Sequence, residues 1–70
     1  MTTSTKIRVG VYGASGYAGQ DLIEILSKHP QVEIVFGTSN AYAGDSIPFT
    51  SLTYIPSDNA PLSDVDVVFL

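Results

Sequence analysis

Gly13-Ala14-Ser15-Gly16-Tyr17-Ala18-Gly19 joins an apolar stretch, Ile7 to Tyr12, to a stretch with helical periodicity, Ala18 to His29. A loop that carries a strand into a helix, with glycine at every third position, brings backbone N–H groups to the positive end of a helix macrodipole without side chains in the way. That is what a phosphate pair needs. A glycine-rich turn also joins strands to helices for steric reasons alone, so the G-x-x-G-x-x-G spacing by itself decides little. Its surroundings decide more: it follows an expected strand, opens an expected helix and leads into a second strand, the layout of a mononucleotide-binding unit.

Outward from the loop, Ile7, Val9 and Val11 alternate with Arg8, Gly10 and Tyr12, which predicts a strand with Arg8 near its open end. Ala18, Leu22, Ile25 and Leu26 follow the spacing of one buried helical stripe, widened by Ile23, with Gln20, Asp21, Glu24 and Lys28 on the wet side. Asp21 early and Lys28 late suit the helix dipole, Glu24 and Lys28 are four apart, and Pro30 ends the helix. Val32 to Phe36 reads as a second strand, parallel to the first because a helix crosses between them.

From Thr38 to Asp64 the pattern weakens under Gly44, Pro48, Pro56 and Pro61, and only Leu52 to Ile55 reads as a short strand. Val65 to Leu70 reads as a further, buried strand. The expected fold is α/β, a partial Rossmann-like doubly wound parallel sheet made of a β-α-β unit plus one strand. Residues 1–5 are expected to be a flexible tail and 6–70 the N-terminal part of a dinucleotide-binding domain that ends before a catalytic domain.

Composition narrows the function. The 70 residues are 44% hydrophobic and 14% charged, and they contain no apolar run long enough to span a bilayer. A net charge of -4, with only Lys6, Arg8 and Lys28 as bases, offers no patch to neutralise a nucleic-acid backbone. Neither nucleic acid nor membrane is the expected partner. The polar start, Met1 to Thr5, has no secretory or transit character, so a cytoplasmic location is expected. These residues contain no cysteine, hence no disulfide, thiolate metal site or thiol nucleophile.

Within the loop, Gly13 is read as the tight turn, Gly16 as the point of pyrophosphate approach and Gly19 as the close contact between helix and strand. Ser15 fits a hydroxyl donor to a phosphate oxygen or a helix N-cap. Tyr17 fits a wall of the cofactor or substrate site, or a ring lying on the surface. At the tip of the second strand, Thr38-Ser39-Asn40 presents hydroxyl and amide groups and no carboxylate, which favours a 2′-phosphate and therefore NADP. His29, at a helix C-terminus beside Pro30, is read as structural, and Asp64 and Asp66 as the solvated border of the last strand.

The run Lys6 to Leu22, with Leu26, His29-Pro30, Glu33, Thr38-Ser39 and the strand Val65 to Leu70, resembles the start of the N-acetyl-gamma-glutamyl-phosphate reductases of arginine biosynthesis. The Gly-Tyr-x-Gly loop and the His-Pro at the helix end separate that family from the related aspartate-semialdehyde dehydrogenases. The resemblance implies cofactor contacts from Gly13, Ser15, Gly16, Tyr17 and Gly19 to the pyrophosphate and from Ser39 on the adenosine ribose side. Ala18 and Asn40 occupy positions in the same set, where the family often has threonine and arginine. It also implies the family's chemistry: a cysteine thiolate displaces phosphate from an acyl phosphate, hydride from NADPH reduces the thioester, and a histidine assists proton transfer. The implied substrate is N-acetyl-gamma-glutamyl phosphate, held by segments beyond this chain, and the expected assembly is a homo-oligomer. Neither that cysteine nor that histidine is among these residues, and His29 does not match the catalytic position. An aspartate-semialdehyde dehydrogenase and a non-catalytic NADP-binding or sensing module are the alternatives.

Overall fold

β-branched residues at alternate positions give the first strand, β1 (Ile7–Val11), and a run that is apolar except at Glu33 gives the second, β2 (Val32–Gly37). This computed structural model describes residues 6–70; the tail expected over residues 1–5 lies outside them. Between the two strands runs the helix α1 (Tyr17–Ser27), and a short third strand, β3 (Val67–Phe69), completes the sheet. All pairings are parallel and the order is β2-β1-β3, so β1 is central and the chain leaves it in opposite directions for its two neighbours. The reversal of strand order at β1 is the topological switch point of a doubly wound sheet, and the partial Rossmann-like α/β fold read from the sequence is the one formed.

β1 and β2 run in register from Ile7 opposite Val32 to Val9 opposite Ile34, then slip so that Gly10 faces Phe36. The slip is a bulge at Val35, and it lays the Phe36 ring where a side chain on Gly10 would stand. Phe36 is 3% exposed and meets Tyr12 edge to face at 5.7 Å.

The helix differs from the expected one in boundary and in facing. It starts at Tyr17 and ends at Ser27, with Lys28 as C-cap and the Lys28 and His29 amides donating back to Ile25 and Leu26. The residue before proline is pushed out of the helical region, so Pro30 ends the helix two residues before His29. Ile23 and Leu26 are the buried positions and Leu22 flanks them, whereas Ala18 and Ile25 are exposed, contrary to the expected stripe. Gly19 causes this: it brings the helix N-terminus down onto the loop, so the face in line with Gly19, Ile23 and Leu26 points inward. The first turn holds no acid and the last no base, so Asp21 and Lys28 fall outside the places where they were expected to serve the dipole. The Glu24–Lys28 pair does form, at 3.2 Å.

Between β2 and β3 the chain stays irregular. Leu52 to Ile55 is not a strand: Thr53 bridges Ser46 antiparallel, while Ile55 bridges Thr38 in parallel at the tip of β2. The excursion nevertheless supplies core, because Ile47 and Tyr54 are buried with Val9, Val11, Ala14 and Ile23. Two single 3₁₀ turns, Ser57–Asn59 and Leu62–Asp64, lead to β3. Asp64 thus sits in a turn and does not share a strand face with Asp66, and β3 is shorter and more exposed than the buried run expected from Val65 to Leu70. Asp66 accepts a hydrogen bond from the Arg8 amide at 3.0 Å and lies 3.9 Å from its Nε, fastening β3 to the open end of β1. No helix among the described residues is long and apolar enough to cross a membrane.

Candidate functional site

The loop after β1 turns at Gly13, whose φ of +65° lies in the left-handed region that glycine enters without a Cβ penalty. Two residues at the tip of β2 hold it there. The buried Thr38 accepts at Oγ1 from the Gly13 amide at 3.1 Å, accepts at its carbonyl from Ala14 at 2.9 Å and donates its own amide to Val11 at 2.9 Å. Ser39 Oγ lies 2.8 Å from Ser15 Oγ and accepts from the Tyr42 amide at 3.1 Å. Gln20 adds a bond from Nε2 to the Ser15 carbonyl at 2.8 Å. Thr38 is 2% and Ser39 6% exposed, so the bonds made by these two residues are shielded from competing water.

The helix N-terminus then presents open donors. Its N-cap is Gly16, with no side-chain cap, so Ser15 does not serve as the N-cap. Among the described residues, the amides of Ser15, Tyr17, Ala18 and Gly19 donate to no protein acceptor. With no acid in the first turn, the positive end of the macrodipole is left uncompensated by the chain's own side chains. A side chain at Gly19 would run into the Gly13 carbonyl and come within 2.8 and 2.9 Å of the Ala14 backbone, so helix and loop touch only because Gly19 has none. At Gly16 an added Cβ would meet nothing nearer than the Gly13 carbonyl at 3.5 Å, leaving its surface open to an approaching group.

Around the loop lie two clefts. One, of about 410 Å³, opens between the C-terminal ends of β1 and β3 and is lined by Gly13, Gly16, Tyr17, Ala18 and Gly19 with Phe69. That is the switch-point crevice, where open α/β sheets take their ligands. The other, of about 230 Å³, is lined by Ser15, Gln20, Tyr42, Asp45, Ser46 and Tyr54. The residues present therefore suit a dinucleotide's phosphates: open amides, a bare glycine surface and no carboxylate in the helix's first turn. Over residues 8–70 the sequence matches the family described as semialdehyde dehydrogenase, NAD binding domain.

The chain belongs to that family. A nicotinamide dinucleotide is its cofactor class. A relative from Aeropyrum pernix, named as a LysW-L-2-aminoadipate/LysW-L-glutamate phosphate reductase, is 39% identical over 72 residues, covering 90% of this chain and 20% of the relative. N-acetyl-gamma-glutamyl-phosphate reductases from Acidothermus cellulolyticus and Neisseria meningitidis are 38% and 39% identical, over 90% and 94% of this chain and 21% of each relative. The chain spans about a fifth of the length of these curated relatives.

Of the residues singled out from the sequence, Gly13, Gly16, Tyr17, Ala18 and Gly19 gather at the larger cleft and Ser15 at the smaller one. Tyr17 is 95% exposed at the first turn of the helix. Ser39 stands beneath the loop with its hydroxyl engaged by Ser15 and Tyr42, and Asn40 is tied by its Oδ1 to the Ser57 amide at 3.1 Å. His29 lies at the other end of the helix, its Nδ1 accepting from the Gln31 amide at 3.1 Å. Sequence reasoning missed Thr38 as the anchor of the loop; a hydroxyl-bearing, β-branched residue directly after a strand was the available signal. Asp45 was also missed, because its place beside Ser15 is set by the irregular excursion.

Proposed function

We propose that residues 6–70 are the first part of the NADP-binding domain of an N-acetyl-gamma-glutamyl-phosphate reductase. The observation that carries this reading is the set of open amides at the switch-point cleft, in a chain whose relatives from A. cellulolyticus and N. meningitidis bear that name. The residues that would hold the cofactor are Gly13, Ser15, Gly16, Tyr17, Ala18 and Gly19 at the pyrophosphate, with Asn40 toward the adenosine ribose and Ser39 behind Ser15. Bound NADPH supplies hydride to an acyl group activated elsewhere in the polypeptide. This chain's own residues bind and orient: the helix N-terminus neutralises phosphate charge, the glycine surface lets it approach, and Tyr17 and Phe69 wall the cleft.

NADP rather than NAD is favoured by the absence of a carboxylate at the Thr38-Ser39-Asn40 tip and by the exposed Asn40 amide, the Thr38 and Ser39 hydroxyls being engaged beneath the loop. The setting we propose is a cytoplasmic homo-oligomer with a small acyl phosphate as substrate.

The test is phosphate-dependent NADP reduction by the full-length polypeptide with N-acetylglutamate semialdehyde. Aspartate semialdehyde and the LysW-linked glutamate and aminoadipate semialdehydes run in parallel. Turnover with the first alone supports the reading; turnover with another alone moves the substrate to that compound. Nucleotide binding without any turnover would favour a non-catalytic module. Binding NADH as tightly as NADPH would overturn the NADP choice and leave the rest standing.

A further inference from the structure

We propose that Ser39 is a positioning residue that aims the Ser15 hydroxyl proton at a cofactor phosphate oxygen. The inference deepens the nucleotide reading above and rests on it. A hydroxyl has one proton and two lone pairs. At Ser39 Oγ one lone pair takes the Tyr42 amide, and the nearest partner for its proton is Ser15 Oγ at 2.8 Å. Ser39 is 6% exposed, so if Ser15 were the donor, the Ser39 proton would be left facing a nearly dry interior without an acceptor. The satisfied arrangement runs one way: the Tyr42 amide donates to Ser39, Ser39 donates to Ser15, and the Ser15 proton is left to point out of the protein.

Outward from Ser15 lies the smaller cleft, and next to Ser15 lie the open amides of the helix N-terminus. Ser15 is held twice more, by its place after the Thr38-bound residues Gly13 and Ala14 and by the Gln20 bond to its carbonyl. A hydroxyl fixed at its oxygen and supplied with a donor behind it has lost the option of donating back toward Ser39. It meets an anion as a donor, already oriented, and the bond to a charged oxygen is stronger than one between neutral groups. Ser39 thus acts through Ser15 and needs no contact with the nucleotide.

The experiment is a double-mutant cycle on the full-length protein with Ser15→Ala, Ser39→Ala and the pair, reading NADPH affinity by fluorescence titration and melting temperature for each variant. Each single change is expected to weaken NADPH about three- to tenfold, the range of one hydrogen bond to a charged group with solvent partly replacing it. The pair is expected to be no weaker than Ser15→Ala alone. 2′-AMP carries the ribose phosphate and no pyrophosphate, so its affinity should stay within about twofold in Ser39→Ala. Ser39→Cys, which keeps the volume and a weak donor, should lose less than Ser39→Ala. Additive losses in the pair, a matching loss for 2′-AMP, or an unchanged NADPH affinity in Ser39→Ala would each overturn the proposal. A wild-type protein that binds neither NADPH nor NADH would instead overturn the nucleotide reading itself.

Discussion

Gly16→Ala and Gly19→Ala add the same methyl group three residues apart, and the structure expects both to weaken NADPH but only the second to lose stability. At position 19 the new Cβ falls on the Gly13 carbonyl and about 0.6 Å inside ordinary contact with Ala14 Cα, which is 2.8 Å away. All of the obstructing atoms are backbone, so no rotamer change relieves them. Such overpacking costs about 1–3 kcal/mol, and the better helix propensity of alanine returns at most about 1 kcal/mol. A net loss of about 1–2 kcal/mol lowers the melting temperature by about 2–8 °C in a domain of 150–250 residues. The loop must also move off the helix, and a displaced phosphate cradle weakens NADPH about tenfold. At position 16 the backbone, φ −74° and ψ 170°, is one that alanine adopts freely, and the methyl meets nothing closer than 3.5 Å. Stability should change by less than about 0.5 kcal/mol. The methyl stands on the surface where phosphate is expected, so NADPH affinity should still fall tenfold or more. Thermal melts and fluorescence titrations of the two variants decide the matter. An undisturbed melt in Gly19→Ala would refute the close-contact argument, and wild-type NADPH affinity in Gly16→Ala would refute the phosphate approach.

Thr38→Val is nearly isosteric but removes the acceptor of the Gly13 amide; it should cost about 1–3 kcal/mol in denaturant unfolding, with Thr38→Ser retaining most of the stability. Phe36→Ala empties the space over Gly10 and should cost about 3–5 kcal/mol, read as a fall in the denaturant midpoint at constant slope. Asp45→Asn removes a carboxylate from the cleft beside Ser15, so NADPH should bind two- to threefold tighter at low salt. The gain should shrink in 0.5 M salt as the ionic atmosphere screens it. Asp66→Ala breaks a half-exposed pair at the opposite end of the sheet; calorimetry should show a loss of less than about 1 kcal/mol, with NADPH affinity unchanged.

The sequence by itself determined the β-α-β unit and the parallel sheet. Alternation in Ile7 to Val11, a run at Val32 to Phe36 that is apolar except at Glu33, and glycines three apart are local patterns, and local patterns survive without knowledge of the rest of the chain. Its candidate phosphate residues Gly13 to Gly19 were legible for the same reason, since they are consecutive. Only the tertiary structure decided which helix face turns inward, because that follows from Gly19 pressing on the Ala14 backbone and not from the apolar spacing, which would bury Ile25. It alone brought Thr38 and Ser39 under the loop, since Gly13 and Thr38 are 25 residues apart and meet only when β1 and β2 pair. The excursion after β2 was illegible beyond its turns: Ile47 and Tyr54 join the core through isolated bridges, without the repeated spacing that marks a buried face in advance.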